Sequence, residues 1–352
     1  MSDSDLETLI RQAVAAEAAE SVHPGAVLAE LERRRRPRRR AAPLIAATGL
    51  AAAVAVLAVA VPLTEARDTP PAPVATVPVA ASNVLLIGLD DTANADSIVL
   101  TRVSGDGALS AVSLPRDSAV EVPGRGVVPL RSVYSTAHEE ALGRGLTEDA
   151  ADAEGARSLA ETVETLTGTE IDHHASVDVV AFGRLATAFG GVEVCLNASA
   201  ADRYSGVDLP AGRQTLTGPQ VLAFLRQRSG LPNGDLDRVR RHQAVLTSLA
   251  TTAVASGVLT DPAKLAAVLS AVHENVRTDE GWNPADLLRG LTAAPVRTTT
   301  IPVGDGAELQ GGGQGLEIDP AAVRAHVQDF LEPAPGGEPS AAEPPGETSC
   351  VD

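Results

Sequence analysis

The chain has 352 residues, enough for one large domain or two small ones. Apolar residues make up 44% of it and aromatics only 2%, so Val, Leu, Ile and Ala must fill the core, and aromatic stacking cannot be the main chemistry. Residues 1–42 hold eight Arg against seven Asp and Glu, so the net charge of −18 is carried by the rest; such an acidic body repels a phosphate backbone, and no nucleic-acid partner is expected.

Residues 1–42 read as a cytoplasmic tail ending in a dense basic run at 33–36 and 38–40. No charged side chain occurs over 41–64, which predicts one transmembrane helix at 43–63. The Arg excess marks its cytoplasmic flank and places everything after it outside the cell membrane. A cleaved signal peptide competes through Ala58-Val59-Ala60, and the basic run alone could be a nucleic-acid patch. The long extension before the run, and its position against the span, favour an anchor. Residues 64–82, with Pro70, Pro71, Pro73 and Pro78, form a Pro-rich linker off the bilayer.

From 83 to 331 the pattern is that of a folded domain. Apolar runs predict strands at 83–88, 97–103 and 108–114, the last two joined by a hairpin turn at Ser104-Gly-Asp-Gly107. Helical patterns follow at 156–166, 179–189, 219–226, 236–254, 262–272, 284–291 and 320–330, with strands at 192–196 and 298–303. Mixed strands and helices without an internal repeat imply a layered α/β domain. Residues 332–352, rich in Pro, Gly and Glu, read as a flexible tail. Cys195 and Cys350 both fall outside the membrane, where a disulfide pinning that tail is permitted, two free thiols being the alternative.

Three places aim charged side chains from strand ends or turns. Asp90 ends the first strand and Asp96 opens the second, so the two carboxylates could share a Mg²⁺ or merely solvate a turn. Pro115 stops the third strand and presents Arg116 and Asp117, by themselves no more than an ion pair. The stretch from Arg226 to Arg241 carries Arg226, Arg228, Arg238, Arg240 and Arg241, a local positive excess in an acidic chain. Arg226 closes one helix and Arg238 opens the next. Their forks could converge on phosphate oxygens, aided by the helix N-terminus, or form a solvated face paired with Asp235 and Asp237. His173-His174 lie next to each other on a strand and so point to opposite faces, a structural pair. Gly311-Gly-Gly-Gln-Gly315 lacks the Lys-Ser/Thr of a nucleotide loop and reads as a flexible turn.

In order along the chain, Asn83-Val-Leu-Leu-Ile-Gly-Leu-Asp90, Ala95-Asp-Ser-Ile-Val-Leu100, Ser113-Leu-Pro-Arg-Asp117, Glu161-Thr-Val-Glu-Thr-Leu-Thr-Gly168, Ile171-Asp-His173, Phe189-Gly-Gly-Val-Glu-Val194, and Leu216-Thr-Gly218 leading to Arg226-Gln-Arg228 and 235–243 resemble the LytR-CpsA-Psr family. These are membrane-anchored enzymes that transfer glycopolymers from polyprenyl-pyrophosphate carriers to peptidoglycan. The resemblance covers about 83–303 and implies a three-layer α/β/α sandwich with an apolar groove for the prenyl tail. It implies Mg²⁺ on Asp90 and Asp96, which with Arg116 and Asp117 form the catalytic set. It implies substrate contacts from Arg116, Arg131, Arg226, Arg228, Asp235, Arg238, Arg241 and His242. Where the family pattern has arginines, this chain has Thr92 and Asn94, its Lys segment appears as Pro129-Leu-Arg131, and its Arg-Gln-Gln triplet is Arg241-His242-Gln243. The departures leave a second expectation, a non-catalytic protein that binds the lipid pyrophosphate or wall polymer in the envelope.

Overall fold

A computed structural model describes residues 81–255, 261–291, 296–332 and 350–352. The expected cytoplasmic tail, membrane span, nearly all of the linker and most of the C-terminal tail lie outside the described residues. Among the described residues no helix is long and apolar enough to cross a membrane.

The three predicted strands form a meander: β1 (Ser82–Leu89), β2 (Ala95–Val103) and β3 (Leu109–Ser113), antiparallel throughout. The turn between β2 and β3 is the expected one, with Gly107 N donating to Ser104 O at 2.8 Å. Beyond it the chain makes a small hairpin of β4 (Ala119–Val122) and β5 (Gly126–Pro129), then two packed helices, α1 (Arg131–Gly143) and α2 (Glu148–Thr167). β6 (His173–Asp178) joins β1 in parallel, and α3 (Val179–Ala188) leads away from it. Next come β7 (Val192–Leu196), the hairpin β8 (Ala200–Asp202) and β9 (Val207–Leu209), and β10 (Gly212–Leu216), which pairs with β7. Helices α4 (Pro219–Arg226), α5 (Asp235–Ala255) and α6 (Pro262–Asn275) follow, then β11 (Arg277–Thr278) and α7 (Pro284–Gly290). β12 (Arg297–Thr300), the hairpin β13 (Gly304–Glu308) and β14 (Gln314–Glu317), and α8 (Pro320–Leu331) complete the order.

The main sheet has the order β11-β6-β1-β2-β3-β12, with β6 and β12 parallel to their inner neighbours. Side-chain alternation along its strands separates two cores. Leu85, Ile87, Ile98, Leu100, Val112 and Leu114 point to one face, where Tyr134 of α1, Leu159 and Val163 of α2, and Val323, Val327 and Phe330 of α8 meet them. The opposite parity, Val103 and Leu109, packs on Ala250 of α5. A separate cluster joins β7, β10, α4 and α5 through Val192, Val194, Leu216, Phe224 and Val245. The described residues are thus a mixed α/β fold around a six-stranded mixed sheet.

Helix α1 is the main element that the pattern reading did not find. Its buried positions are Val133, Tyr134, Ser135, Ala137 and Ala141, and three of these are too small or polar to mark an apolar stripe. Its packing depends on Gly155 of α2, where a Cβ would come within 2.9 Å of the Tyr134 ring. α2 likewise starts earlier than the expected 156, at Glu148, with Thr147 Oγ1 accepting from Ala150 N and two acidic residues in the first turn. β12 ends at Thr300, short of the expected 303 and two residues before Pro302.

Cys195, on β7, is bonded to Cys350. Val351 then runs parallel to Leu196, donating from N to Cys195 O at 2.9 Å and accepting at its carbonyl from Asn197 N at 2.9 Å. Thiol labelling of the unreduced protein is expected to modify neither cysteine, and Cys350→Ser to lower unfolding stability by about 2–4 kcal/mol, since the bond closes a long loop. Two reactive thiols would overturn the pairing.

Candidate functional site

The site lies where β1 and β3 end and β2 and α5 begin. After β1 the chain reverses through a five-residue loop that Asp90 organises. Its Oδ1 accepts from Thr92 N at 2.8 Å, Thr92 Oγ1 at 2.8 Å and Asn94 N at 2.9 Å. This is the local mimicry of a turn at which Asp excels, and it holds Ala93 at a φ of 56°, in the left-handed region. Thr92 and Asn94 belong to the same knot: Asn94 Nδ2 donates to Thr92 Oγ1 at 2.7 Å, and Ser135 Oγ of α1 donates to Asn94 Oδ1 at 3.0 Å. These two short polar side chains therefore shape the loop and offer no cation.

Asp96, the second residue of β2, is the hub. Arg116 Nη1 donates to its Oδ1 at 2.6 Å and Arg238 Nη2 to its Oδ2 at 3.2 Å. Both guanidinium groups also reach Asp235 Oδ1, Arg238 at 2.6 Å and Arg116 at 3.1 Å. The result is a closed ring of two arginines and two carboxylates, with the Arg238 side chain only 4% exposed. Burial pushes the Asp96 carboxyl up, but Arg116, then Arg238 and Arg228, outweigh it and hold it below the usual carboxylate range. The ring is not saturated. Nε of Arg116 and Nε of Arg238 are both buried without a hydrogen-bond partner.

Around this ring stand the remaining candidates. Arg228, 65% exposed, approaches Asp96 at 4.0 Å, and Arg226 pairs with Asp91 at 2.7 Å. Asp91 was not among the expected residues; it follows Asp90 in a loop, and nothing in a sequence separated by 135 positions signals the pairing. Asp117 is paired with Arg131, the first residue of α1, and lies 3.6 Å from Arg116 Nε. The start of α1 is docked there by the backbone, with Arg131 N donating to Arg116 O at 2.8 Å and Leu130 N to Ser118 O at 2.9 Å. Gln243 fastens α5 to the sheet, its Nε2 donating to Ser113 Oγ, Thr299 O and Thr300 Oγ1 at 2.8–3.0 Å.

Arg241 is placed elsewhere. Its side chain is directed into the core between α5 and α4, with the residue 1% exposed, and it belongs to the scaffold rather than to the ring. Arg240 is half-exposed and paired with Asp237 at 2.6 Å, as a solvated helix position should be. His173 Nδ1 donates to Asp279 Oδ2 at 2.9 Å and its ring stacks on Trp282, consistent with its structural reading.

His242 lines the same pocket as Asp96, Arg116, Asp235 and Arg238. Burial, then the positive charge of Arg238, pushes its pKa down to about 4, against the opposing pull of Asp96 and Asp235. It is neutral at physiological pH and adds no cation to the site. Because the folded chain resists protonating it, the unfolded state binds the extra proton between pH 6.5 and about 4, and stability falls on acidification through that window. Urea denaturation at pH 7 and pH 5 is expected to show a loss of order 1–2 kcal/mol that shrinks in His242→Gln. An equal loss in the variant would remove His242 as its source.

Chemically the site offers convergent guanidinium forks over two carboxylates. Among the described residues no group of three or more His, Cys, Asp or Glu side chains could cage a metal alone. Mg²⁺ that shares its shell with phosphate oxygens needs only one or two carboxylates, and Asp90 and Asp96 are the pair that would hold it. Asp96 is held ionised, and Asp90 uses Oδ1 for all three of its loop bonds.

The LytR_cpsA_psr family model matches residues 64–314. The cell wall biosynthesis protein LcpA of Corynebacterium glutamicum is 39% identical over 273 residues, 72% of this chain and 52% of LcpA. The polyisoprenyl-teichoic acid–peptidoglycan teichoic acid transferase TagU of Enterococcus faecalis is 29% identical over 56% of this chain and 61% of its own. The chain thus spans about half to three fifths of the length of these relatives. Among solved structures, Bacillus subtilis TagV superposes with a TM-score of 0.57 at 22% identity, over 73% of this chain and 99% of TagV. TagT bound to LIIa-WTA gives 0.54 at 19% identity, over 71% of this chain and 91% of TagT. At those identities the likeness is one of fold.

Proposed function

The chain belongs to the LytR-CpsA-Psr family, and from that premise we propose that it transfers a glycopolymer from a polyprenyl-pyrophosphate carrier to peptidoglycan. The observation that carries this reading is the Arg116–Asp96–Arg238–Asp235 ring, whose two buried Nε donors are unspent. Phosphoryl transfer needs little covalent help and mainly positioning and charge neutralisation, which paired guanidinium forks supply. Family membership and the wall-polymer names of the relatives point the same way.

In this reading Arg116 and Arg238 grip the pyrophosphate from inside, with Arg228 and Arg226 reaching it from the exposed rim. Arg131 is the cation that answers the family's lysine. Asp117 pairs with Arg131 and lies 3.6 Å from Arg116 Nε. An acceptor hydroxyl of peptidoglycan forms a bond to the glycan-bearing phosphorus, the bridging P–O bond breaks, and polyprenyl phosphate leaves, the hydroxyl proton passing to the departing phosphate. Mg²⁺ bound through Asp96 and Asp90 would neutralise charge on the phosphate oxygens. We read the domain as a three-layer α/β/α sandwich outside the cell membrane, anchored by the span at 43–63.

A second reading, binding without turnover, is favoured by one observation: Thr92 and Asn94 spend their polar groups inside the loop and contribute no positive charge. Incubation of the protein with a polyprenyl-pyrophosphate-linked glycan, Mg²⁺ and peptidoglycan separates the two. Release of polyprenyl phosphate with glycan on the wall supports the first, retention of intact lipid the second. Failure to bind the lipid overturns both.

A further inference from the structure

Arg241 is the largest fully buried side chain of the described residues. A buried guanidinium is costly, so its contacts must compensate. Nη1 donates to Phe224 O at 2.9 Å and to Gln227 Oε1 at 2.8 Å, and Nε donates to the main-chain oxygen of Asp352 at 2.5 Å. The guanidinium also sits 4.5 Å from the centre of the Phe224 ring. Phe224 O is one of the carbonyls that the last turn of α4 leaves without an intrahelical partner. Gln227, 3% exposed, is the residue between Arg226 and Arg228.

The geometry points to Arg241 as a positioning residue for the phosphate grip, an inference that rests on the reading proposed above. Gln227 ends α4 at φ −57° and ψ 133°, a polyproline-like geometry in which its side chain and those of Arg226 and Arg228 leave the chain in different directions. Holding Gln227 inward through its Oε1 turns its neighbours Arg226 and Arg228 outward, toward Asp91 and Asp96. Arg238 lies one helical turn before Arg241 on the same rigid α5. Arg241 therefore sets the arginines of α4 and its exit in register with the arginine of α5. Its third contact comes from the chain's other end. Asp352 is presented by the Cys195–Cys350 bond, the Val351 strand bridge and Asn197 Nδ2, which donates to Asp352 Oδ1 at 3.0 Å.

The test is calorimetric titration of inorganic pyrophosphate into the full chain, Arg241→Lys, Gln227→Ala and the wild-type protein with its disulfide reduced, each well below its measured Tm. Arg241→Lys keeps the charge but replaces the planar fork by a single nitrogen, which cannot reach acceptors now served separately by Nε and Nη1. Affinity is expected to fall on the order of tenfold in each, as for other supporting contacts one shell from a ligand. Because all act through one network, Gln227→Ala combined with reduction is expected to lose less than the product of the two. Gln227→Ala guards against misfolding, since it removes one contact and leaves Arg241 in place. Unchanged affinity in Gln227→Ala and Arg241→Lys, with the wild type binding normally, would overturn the inference alone. A wild type that does not bind pyrophosphate would overturn the proposed function with it.

Discussion

Asp96→Ala is expected to bind pyrophosphate more tightly than the unchanged protein when no divalent cation is present, and to lose transfer by about three orders of magnitude when Mg²⁺ is supplied. The two halves have opposite signs for one reason. Asp96 occupies Arg116 at 2.6 Å and Arg238 at 3.2 Å, so in the free protein it competes with the phosphates for the same donors. Removing a negative charge about 4 Å from a bound anion, in a half-screened site, favours the anion by about 1–2 kcal/mol, roughly tenfold. Turnover moves the other way because, in the function proposed above, the same carboxylate holds the metal. Asp235 still pairs both arginines, so the fold should survive with a stability loss of about 1–3 kcal/mol. Weaker pyrophosphate binding by a folded Asp96→Ala would show that the carboxylate positions the arginines rather than competing for them. Turnover that survives unchanged would end the metal role.

How much of this was legible beforehand depends on whether a feature is local. The strands β1 to β3 announce themselves because their apolar runs are bounded by Gly88, by the Ser104–Gly107 turn and by Pro115. Asp96, Arg116 and Arg238 could be singled out because each stands at the end or start of a regular element, where side chains are aimed. Helix α1 was not legible, since Ala137, Ala141 and Ser135 fill its buried face and the space for Tyr134 is created by Gly155, 21 positions on. Arg241 shows the limit most plainly. In sequence it is one more member of a basic cluster, one turn from Arg238. What draws it inward is Phe224 on another helix and Asp352, 111 residues away. The departures at Thr92 and Asn94 could be noticed as missing cations, but only the hydrogen bonds among Asp90, Thr92, Asn94 and Ser135 show what replaced them: a loop held by its own side chains.

The largest loss of phosphate binding is expected in Arg238→Met, on the order of a hundredfold against pyrophosphate, with a much smaller effect for Arg228→Met. Both residues approach the same oxygen of Asp96, at 3.2 Å and 4.0 Å, but Arg238 is 4% exposed and Arg228 65%. A charge in a nearly dry site interacts several times more strongly than one in water, and Arg238 is already fixed by Asp235 at 2.6 Å, so little entropy is lost when it binds. Met keeps most of the volume, so the variant isolates charge and hydrogen bonding from packing. It also has a pH signature. With Arg238 gone, Asp96 and Asp235 share only Arg116, and the burial that already pushes the Asp96 carboxyl up meets less opposition. The carboxyl pKa must rise, and residual pyrophosphate affinity should recover as pH falls through it, because a protonated Asp96 no longer repels the ligand. The unchanged protein, whose Asp96 stays ionised to lower pH, should show that recovery only at more acidic pH. Affinities measured from pH 7 to pH 4.5 decide the matter. An Arg238→Met protein that binds as tightly as Arg228→Met, with the same pH profile as the unchanged chain, would move the grip away from the ring and onto the exposed arginines.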